Sequence, residues 1–180
     1  ALESEIGQPN GLAGGGFDMG YASGDSAPGF GARPPLAKLT APQPGDLDGP
    51  QGLPPYDFRV DNFRFHPDYR IDRILFREII GTVTDAVYLR PHARIRLLDF
   101  DTARLQASVA GIASFANYAS STPGGEKYLG FELNPTLVYT SDDGFAAAFE
   151  HAVLFPGAGL NNRDLGLTAK PAQLYRLRLS

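Results

Sequence analysis

The stretch from Ala86 to Leu98 constrains the fold most, because its side chains alternate between apolar and polar almost without fault. One side would carry Val87, Leu89, Pro91, Ala93, Ile95 and Leu97. The other side would carry Tyr88, Arg90, His92, Arg94 and Arg96. A period of two is typical of a strand with one apolar and one polar face, whereas a helix would scatter the arginines around its circumference. The stretch therefore predicts a two-faced β-strand.

The same alternation recurs along the rest of the chain and predicts about seven strands, the first of them incomplete. The other six stretches are Ala1–Ile6, Phe17–Ala22, Ala103–Tyr118, Tyr128–Thr140, Phe145–Phe155 and Ala172–Ser180. Pro91 and Pro135 fall inside predicted strands, where a missing N–H removes a ladder hydrogen bond. We therefore expect a bulge or an earlier strand end at each proline.

The connections between these strands alternate strictly between tight turns and longer segments. The tight turns are predicted at Gln8–Gly11, Asp99–Thr102 and Ser141–Gly144. The longer segments are Asp25–Asp85, Ala119–Lys127 and Pro156–Pro171. Outer-membrane barrels place short turns on the periplasmic side and long loops outside, with strands that are apolar outward and polar inward. The pattern predicts an all-β, antiparallel transmembrane β-barrel in the cell outer membrane, of which this is the C-terminal portion.

All of residues 1–180 are assigned to one barrel domain, in which 25–85 form a long extracellular or pore-inserted loop. Within it, Ile71, Ile74, Leu75 and Ile79 lie at helical spacing, which predicts a short helix over 68–80. Asp68 or Asp72 could cap the start of this helix, and Gly81 could end it. The helix would fold over or into the pore mouth.

Composition excludes several other classes of protein. The net charge of −4 argues against a general nucleic-acid binder, and the absence of cysteine removes disulfides and thiolate sites. No run of about 18 apolar residues is present, so a transmembrane helix is not expected. Seven strands cannot close a barrel alone, since the smallest have about 8 and the number is normally even. We expect closure by missing N-terminal strands, and otherwise by another chain or by copies in a homo-oligomer.

Basic side chains on the polar faces form the strongest candidate site. They are Arg90, His92, Arg94, Arg96, Arg104, Arg176 and Arg178. Rings of charge in a pore impose ion selectivity, and arginine recognises carboxylate and phosphate, so a basic lumen would select anions. Glu132 and Glu150 are the predicted acidic partners of these side chains. A ladder of ion pairs that only stiffens the wall is an equally weighted alternative.

The order of motifs also resembles a known group of proteins. GYASGD at Gly20–Asp25 is followed by a long loop, by FHPDYRIDRILFREIIGTVTDAVYLRP at Phe65–Pro91 and by alternating hairpins to the end. This arrangement resembles porin-like outer-membrane barrels of the alginate-export type and uncharacterised deltaproteobacterial outer-membrane barrels, over most of the chain. The resemblance implies export or diffusion across the outer membrane. Such barrels normally end in an aromatic residue, so a few residues are expected beyond Ser180.

Other kinds of site find little support in the sequence. His66, His92 and His151 lack ligand-like spacing, so no metal site is predicted. No nucleophile elbow or triad pattern is present, and neither catalysis nor a cofactor is predicted. Two other functions stay open: a structural or interaction subunit of an outer-membrane assembly with a plugged lumen, and a soluble secreted β-sandwich binding module.

Overall fold

The computed structural model describes residues 1–8, 11–24, 62–163 and 165–180. These residues form an all-β fold with one antiparallel sheet, in which seven strands follow one another in sequence order. The strands are β1 (Glu5–Ile6), β2 (Ala13–Ala22), β3 (Ala86–Phe100), β4 (Ala103–Ala116), β5 (Tyr128–Ser141), β6 (Ala146–Pro156) and β7 (Ala172–Leu179). The sheet is not closed, because β1 and β7 lie at its two edges and do not pair with each other. A closed barrel therefore remains a prediction.

The alternation of tight and long connections is confirmed where the structure describes it. Asp101 and Thr102 join β3 to β4, while 142–145 join β5 to β6. The β3 strand runs on through Phe100, so its turn is two residues shorter than the predicted Asp99–Thr102. The turn predicted at Gln8–Gly11 includes residues 9 and 10, and the predicted loop 25–85 includes 25–61, which all lie outside the described residues.

Neighbouring strands keep their side chains in register, so the sheet has two chemically different faces. Leu89, Ala113, Phe131 and Phe155 occupy one cross-strand row, and Arg94, Ser108, Thr136, Glu150 and Arg176 occupy another on the opposite face. We call the first the open face, because its large apolar side chains are exposed. We call the second the covered face, because residues 62–85, the inserted segment, pack against it.

Two bulges change the predicted facing of individual side chains. The pairing of β4 with β5 shifts by one residue after Ser114, so that Phe115 pairs with Tyr128 and Ser114 with Gly130. The extra residue, Leu129, was predicted on the apolar outer face, but it is fully buried in the core on the covered side. A second shift lies between Arg96 and Leu98. The predicted period of two is broken at both places.

The prolines were predicted to cause bulges or early strand ends, and this prediction is wrong. Pro91 pairs with Phe17 on one side, and Pro135 pairs with Val109 on one side, in strands that continue past them. On the other side of each proline the ladder has a gap, since no pairs of 90–91 with β4 or of 134–135 with β6 are formed. The missing N–H is thus accommodated by a local gap in one ladder.

The inserted segment contains less helix than predicted. A single π-helical turn spans Leu75–Ile80 and ends at Gly81, whose φ of +94° lies in the left-handed region that glycine adopts readily. Asp72 accepts a hydrogen bond from the Phe76 N–H at 2.7 Å, as a capping carboxylate would. The core is formed between this turn and the long-loop half of the covered face. It includes Ile71, Ile74, Leu75, Phe76, Ile80, Val83, Tyr88, Ile112, Leu129 and Leu154.

Candidate functional site

A cavity of about 680 Å³ lies between the inserted segment and the covered face. Its charged lining consists of seven arginines, one histidine and two acids: Arg70, Arg73, Arg77, Arg90, His92, Arg94, Arg176, Arg178, Asp72 and Glu150. Gln106, Ser108, Asn134 and Thr136 add neutral hydrogen-bonding groups. The covered face of the sheet and the inserted segment therefore concentrate guanidinium groups around a space within the size range of small-molecule pockets.

Five of the seven predicted basic residues line this cavity, and two do not. Arg96 and Arg104 lie outside it, near the tight-turn end, where both contact Asp99. Arg96 forms a very short ion pair with Asp99, and the Nε of Arg104 lies 3.3 Å from the other carboxylate oxygen. The bulge after Arg96 turns Asp99 onto the arginine side of the sheet. The predicted set is thus divided between a cavity and an exposed ion-pair cluster.

Near β1 and β2 the arginines have acidic partners that the sequence analysis did not name. Asp18 pairs with Arg90, and its other oxygen lies 3.4 Å from the Nε2 of His92. Glu5 lies 3.1 Å from the Nε of Arg94. The signal was present in the sequence, because Asp18 occupies a polar position in the alternation of Phe17–Ala22.

Small residues in β2 allow the ring side chains of β3 to lie across the sheet. A Cβ at Gly20 would lie 2.2 Å from the ring of Tyr88, and a Cβ at Gly16 would lie 2.7 Å from the Nε2 of His92. The same Cβ at Gly16 would come within 1.8 Å of the Ser4 carbonyl oxygen. A side chain at either glycine would therefore displace the wall of the site.

Near β7 one carboxylate is shared by three arginines. The oxygens of Glu150 lie 2.5 Å from Arg178, 3.6 Å from Arg176 and 3.5 Å from Arg73. Glu150 and the two β7 arginines were predicted from the sequence, and the structure brings them together. Arg73 belongs to the inserted segment and was not predicted, because nothing in the local sequence signals a contact with Glu150 on a strand so far along the chain.

Glu132 has a different partner from the one predicted. Its buried carboxylate accepts hydrogen bonds from the backbone N–H groups of Arg73 at 2.8 Å, Ile74 at 3.1 Å and Leu75 at 3.0 Å. These N–H groups lie at the start of the π-helical turn, where they have no partner within the turn, and a carboxylate satisfies them well. Glu132 therefore anchors the inserted segment rather than pairing with an arginine of the covered face.

Arg73 supplies hydrogen-bond donors at the ladder gap beside Pro135. Its Nη1 lies 3.2 Å from the carbonyl oxygen of His151 and 3.4 Å from that of Pro135, on the two strands that fail to pair there. Its Nη2 donates to the Thr136 hydroxyl at 2.6 Å. Because a buried carbonyl without a donor is costly, this arginine compensates for the N–H that proline lacks.

Burial changes the acid–base properties of the inserted segment. Burial and the neighbouring Glu132 carboxylate raise the pKa of Asp72 to about 7. Burial raises the pKa of Asp85 to about 6, although a hydrogen bond from Ser121 opposes this. Burial lowers the pKa of the Arg73 guanidinium. Burial also raises the pKa of Tyr69, whose hydroxyl lies 2.6 Å from that of Tyr88 and 2.9 Å from Glu3.

The chemistry of this site suits the binding of anions. Arginine gives a fixed charge and planar donors, while the neutral amide and hydroxyl groups can donate to or accept from a ligand.

Across the described residues, no three side chains of metal-ligating type come together to hold an ion. In the same residues no helix has the length and apolar character needed to cross a bilayer. Comparisons with models of protein families, with curated proteins and with solved structures found no match.

Proposed function

We propose that this chain forms part of the wall of an outer-membrane β-barrel, and that its covered face lines a porin-like path for small or polymeric anions. One observation carries the proposal: the seven-stranded sheet exposes large apolar side chains on one face and concentrates arginine on the other. Exposed apolar residues include Leu89, Val109, Leu133, Leu137 and Phe149, which all lie inside strands and not in the turns or loops. In water a contiguous surface of this kind would be a liability, whereas in lipid it is the expected exterior.

The aromatic side chains at the two ends of the open face fit a membrane with the usual thickness. Phe115 and Tyr128 are in ring contact at the long-loop end, with centroids 5.3 Å apart. Tyr139 and Phe145 are neighbours at the tight-turn end, at 6.2 Å. About 11 residues of β5 separate Tyr128 from Tyr139, which is roughly 35 Å of strand, or about 27 Å of height at a ~40° tilt. The apolar band of known barrels is about 25 Å tall.

The interior chemistry supports anions as the transported class. Seven arginines and two acids line the cavity, and Asp72 carries a proton part of the time near neutral pH. A wall with this excess of fixed positive charge attracts anions and repels cations. The inserted segment narrows the path, since it packs on the covered face and contributes Arg70, Arg73 and Arg77 to the lining.

A second candidate is a barrel with a plugged lumen that serves as a structural or interaction subunit. It is favoured by the many contacts that hold the inserted segment to the sheet, among them those of Glu132 and Arg73. The third possibility, a soluble β-sandwich, requires two facing sheets, whereas the described residues form one. The resemblance to alginate-export-type barrels stays a prediction.

The test begins with the full-length protein and its need for detergent. We expect extraction from membranes only with detergent, and a gel mobility that changes on boiling. In a planar bilayer under a salt gradient, the porin-like proposal predicts conductance with a reversal potential of anionic sign. A heat-modifiable protein without conductance would support the plugged barrel instead, and a protein that is soluble without detergent would overturn both.

A pair of charge reversals locates the selectivity in the cavity. Arg70→Glu reverses the charge of a side chain that lines the cavity. The Arg70 side chain is about half exposed, so the variant protein should still fold. We expect it to reduce the anion-to-cation permeability ratio at least threefold. Lys127→Glu makes the same change of charge in an exposed loop residue and is the control. Equal effects of the two variants would mean that net charge, and not the cavity, sets the selectivity.

A further inference from the structure

The outer edge of β7 is a long, exposed strand edge. β7 pairs along eight residues with β6, and among the described residues no strand pairs with its other side. Tyr175, Leu177 and Leu179 are 64%, 65% and 63% exposed, against 42% for Leu137 in an interior strand. The additional exposure lies on the side where a next strand would stand. An edge of this length, with free N–H and C=O groups, is a template for strand addition.

The charges at this edge are unbalanced. Four guanidinium groups, those of Arg73, Arg77, Arg176 and Arg178, share the carboxylates of Glu150 and Glu78 at distances of 2.5 to 3.8 Å. Arg178 remains 64% exposed on its side chain. The opposite edge differs, because Glu5 and Asp18 there accompany Arg90, Arg94 and His92.

Strand direction and charge oppose antiparallel pairing of this edge with a second copy. Because the seven strands alternate in direction in sequence order, β1 and β7 run in the same direction. The acidic β1 edge of a second copy could therefore pair antiparallel with β7 only if the open face of one copy continued the covered face of the other. Two copies could meet antiparallel only through β7 on β7. That contact would place Arg176 and Arg178 against the same arginines of the other copy, and like charges facing each other across strands destabilise a pair.

We propose that the free edge of β7 binds an antiparallel strand that carries carboxylates beside Arg176 and Arg178 and apolar side chains beside Tyr175, Leu177 and Leu179. Backbone hydrogen bonds along the edge supply the affinity, and the alternate side chains supply the register. A carboxylate at this place relieves the crowding of arginines around Glu150. The proposal depends on this edge and its charges, and not on conduction through a barrel.

The edge can be tested in the full-length protein with a photo-crosslinking residue in place of Leu177. Because Leu177 points to the open face at the edge, its replacement contacts a neighbouring strand without removing an arginine. The crosslinked peptide is identified by mass spectrometry. We expect a segment of alternating apolar and polar residues with Asp or Glu at the positions next to Arg176 or Arg178. A segment without such acids, a β7 peptide from a second copy, or crosslinks to lipid or detergent alone would overturn the proposal.

Two controls separate the contributions of position and charge. The same crosslinker at Leu137, on the open face of an interior strand, should react only with β4 and β6 of the same sheet and give no crosslink to an additional strand. The double change Arg176→Glu and Arg178→Glu should lower the yield from position 177 at least fivefold, while Arg163→Glu in a loop should leave it unchanged. An unchanged yield in the double variant would contradict the charge complementarity. Because crosslinking can succeed where conductance fails, this test is independent of the function proposed above.

Discussion

The two halves of the covered face have the same strand alternation but contain opposite chemistry. In the half near the long loops, the inserted segment buries Leu75 and Phe76 against Tyr88 and Leu154. In the half near the tight turns, Arg96, Arg104 and Asp99 form exposed ion pairs, and no described segment adds an apolar core. Positions on the polar face of a strand can therefore face either a packed core or solvent, depending on whether the inserted segment covers them.

The difference shows which half is expected to be rigid. Fully buried apolar side chains contribute about 1.5–3 kcal/mol each on burial, whereas exposed ion pairs contribute about 0–1 kcal/mol. Apolar packing and the contacts of Glu132, Arg73 and Asp72 all lie in the packed half or at its border. We expect opening of the inserted segment to require loss of these contacts as one unit, while the ion pairs exchange freely.

The largest expected effect is a loss of stability in the packed half as pH rises. Asp72 has a pKa of about 7 and Asp85 a pKa of about 6, both raised by burial above the value of 3.8 expected when unfolded. A raised carboxyl pKa means that the folded state binds more protons than the unfolded state. The resulting stabilisation of the folded state is complete below pH ~4 and is lost as pH rises through the pKa of the folded state. The larger part of this loss is expected from Asp72, on the order of a few kcal/mol as pH rises from about 4 through 7.

Proteolysis or hydrogen exchange of the inserted segment across this pH range is the appropriate measurement. Asp72→Asn, which keeps the acceptor for the Phe76 N–H, should flatten most of the dependence. The exposed Asp143 in a tight turn has the opposite pH dependence. Hydrogen bonds from Ser141 and the Phe145 N–H lower the pKa of Asp143, so its contribution to stability is lost as pH falls. Protection of the segment that increases from pH 4 to 7 would contradict the assignment.

The sequence predicted the strands and their connections because period-two alternation and turn residues are local signals. It also predicted an ion-pair role for Glu150, whose position on a polar face is part of the same pattern. Glu132 also lies on a polar face of the alternation, together with Asn134. It nevertheless binds backbone N–H groups, because the inserted segment lies above it. Leu129 was placed on the wrong face because a bulge has no signature in the alternation itself.

A smaller effect is expected from Glu132→Ala, which removes the acceptor of three buried N–H groups. A buried donor without a partner costs about 1–3 kcal/mol, and partial hydration should limit the total to roughly 3 kcal/mol. The measurement is protease protection of the inserted segment at a pH near 5. Glu126→Ala, which removes an exposed loop carboxylate, is the matched control and should change stability by less than about 0.5 kcal/mol. Similar losses in the two variants would show that Glu132 does not anchor the segment.

Arg73 could not have been predicted for a different reason. A proline inside a strand signals a missing donor, but the sequence does not say which side chain replaces it. The structure shows that the replacement comes from the inserted segment, so that one guanidinium serves the carbonyl groups of β5 and β6 and the carboxylate of Glu150. The closure of the sheet was likewise beyond the sequence, since it depends on what pairs with the two edges.

The smallest expected effect, and the sharpest test of the comparison, is the coupling between Arg73 and Pro135. Arg73→Ala should destabilise the inserted segment by about 2 kcal/mol, because it removes the donor of two partly buried carbonyl groups. In a Pro135→Ala background the restored N–H can close the ladder, so the same change should cost about 1 kcal/mol less, within the usual range of coupling between neighbours. Arg96→Ala, in the hydrated half, should cost under about 1 kcal/mol in either background. Additive effects of the two changes would mean that Arg73 holds the segment through Glu150 and Thr136 alone. The ladder gap would then contribute nothing to the difference in stability between the two halves.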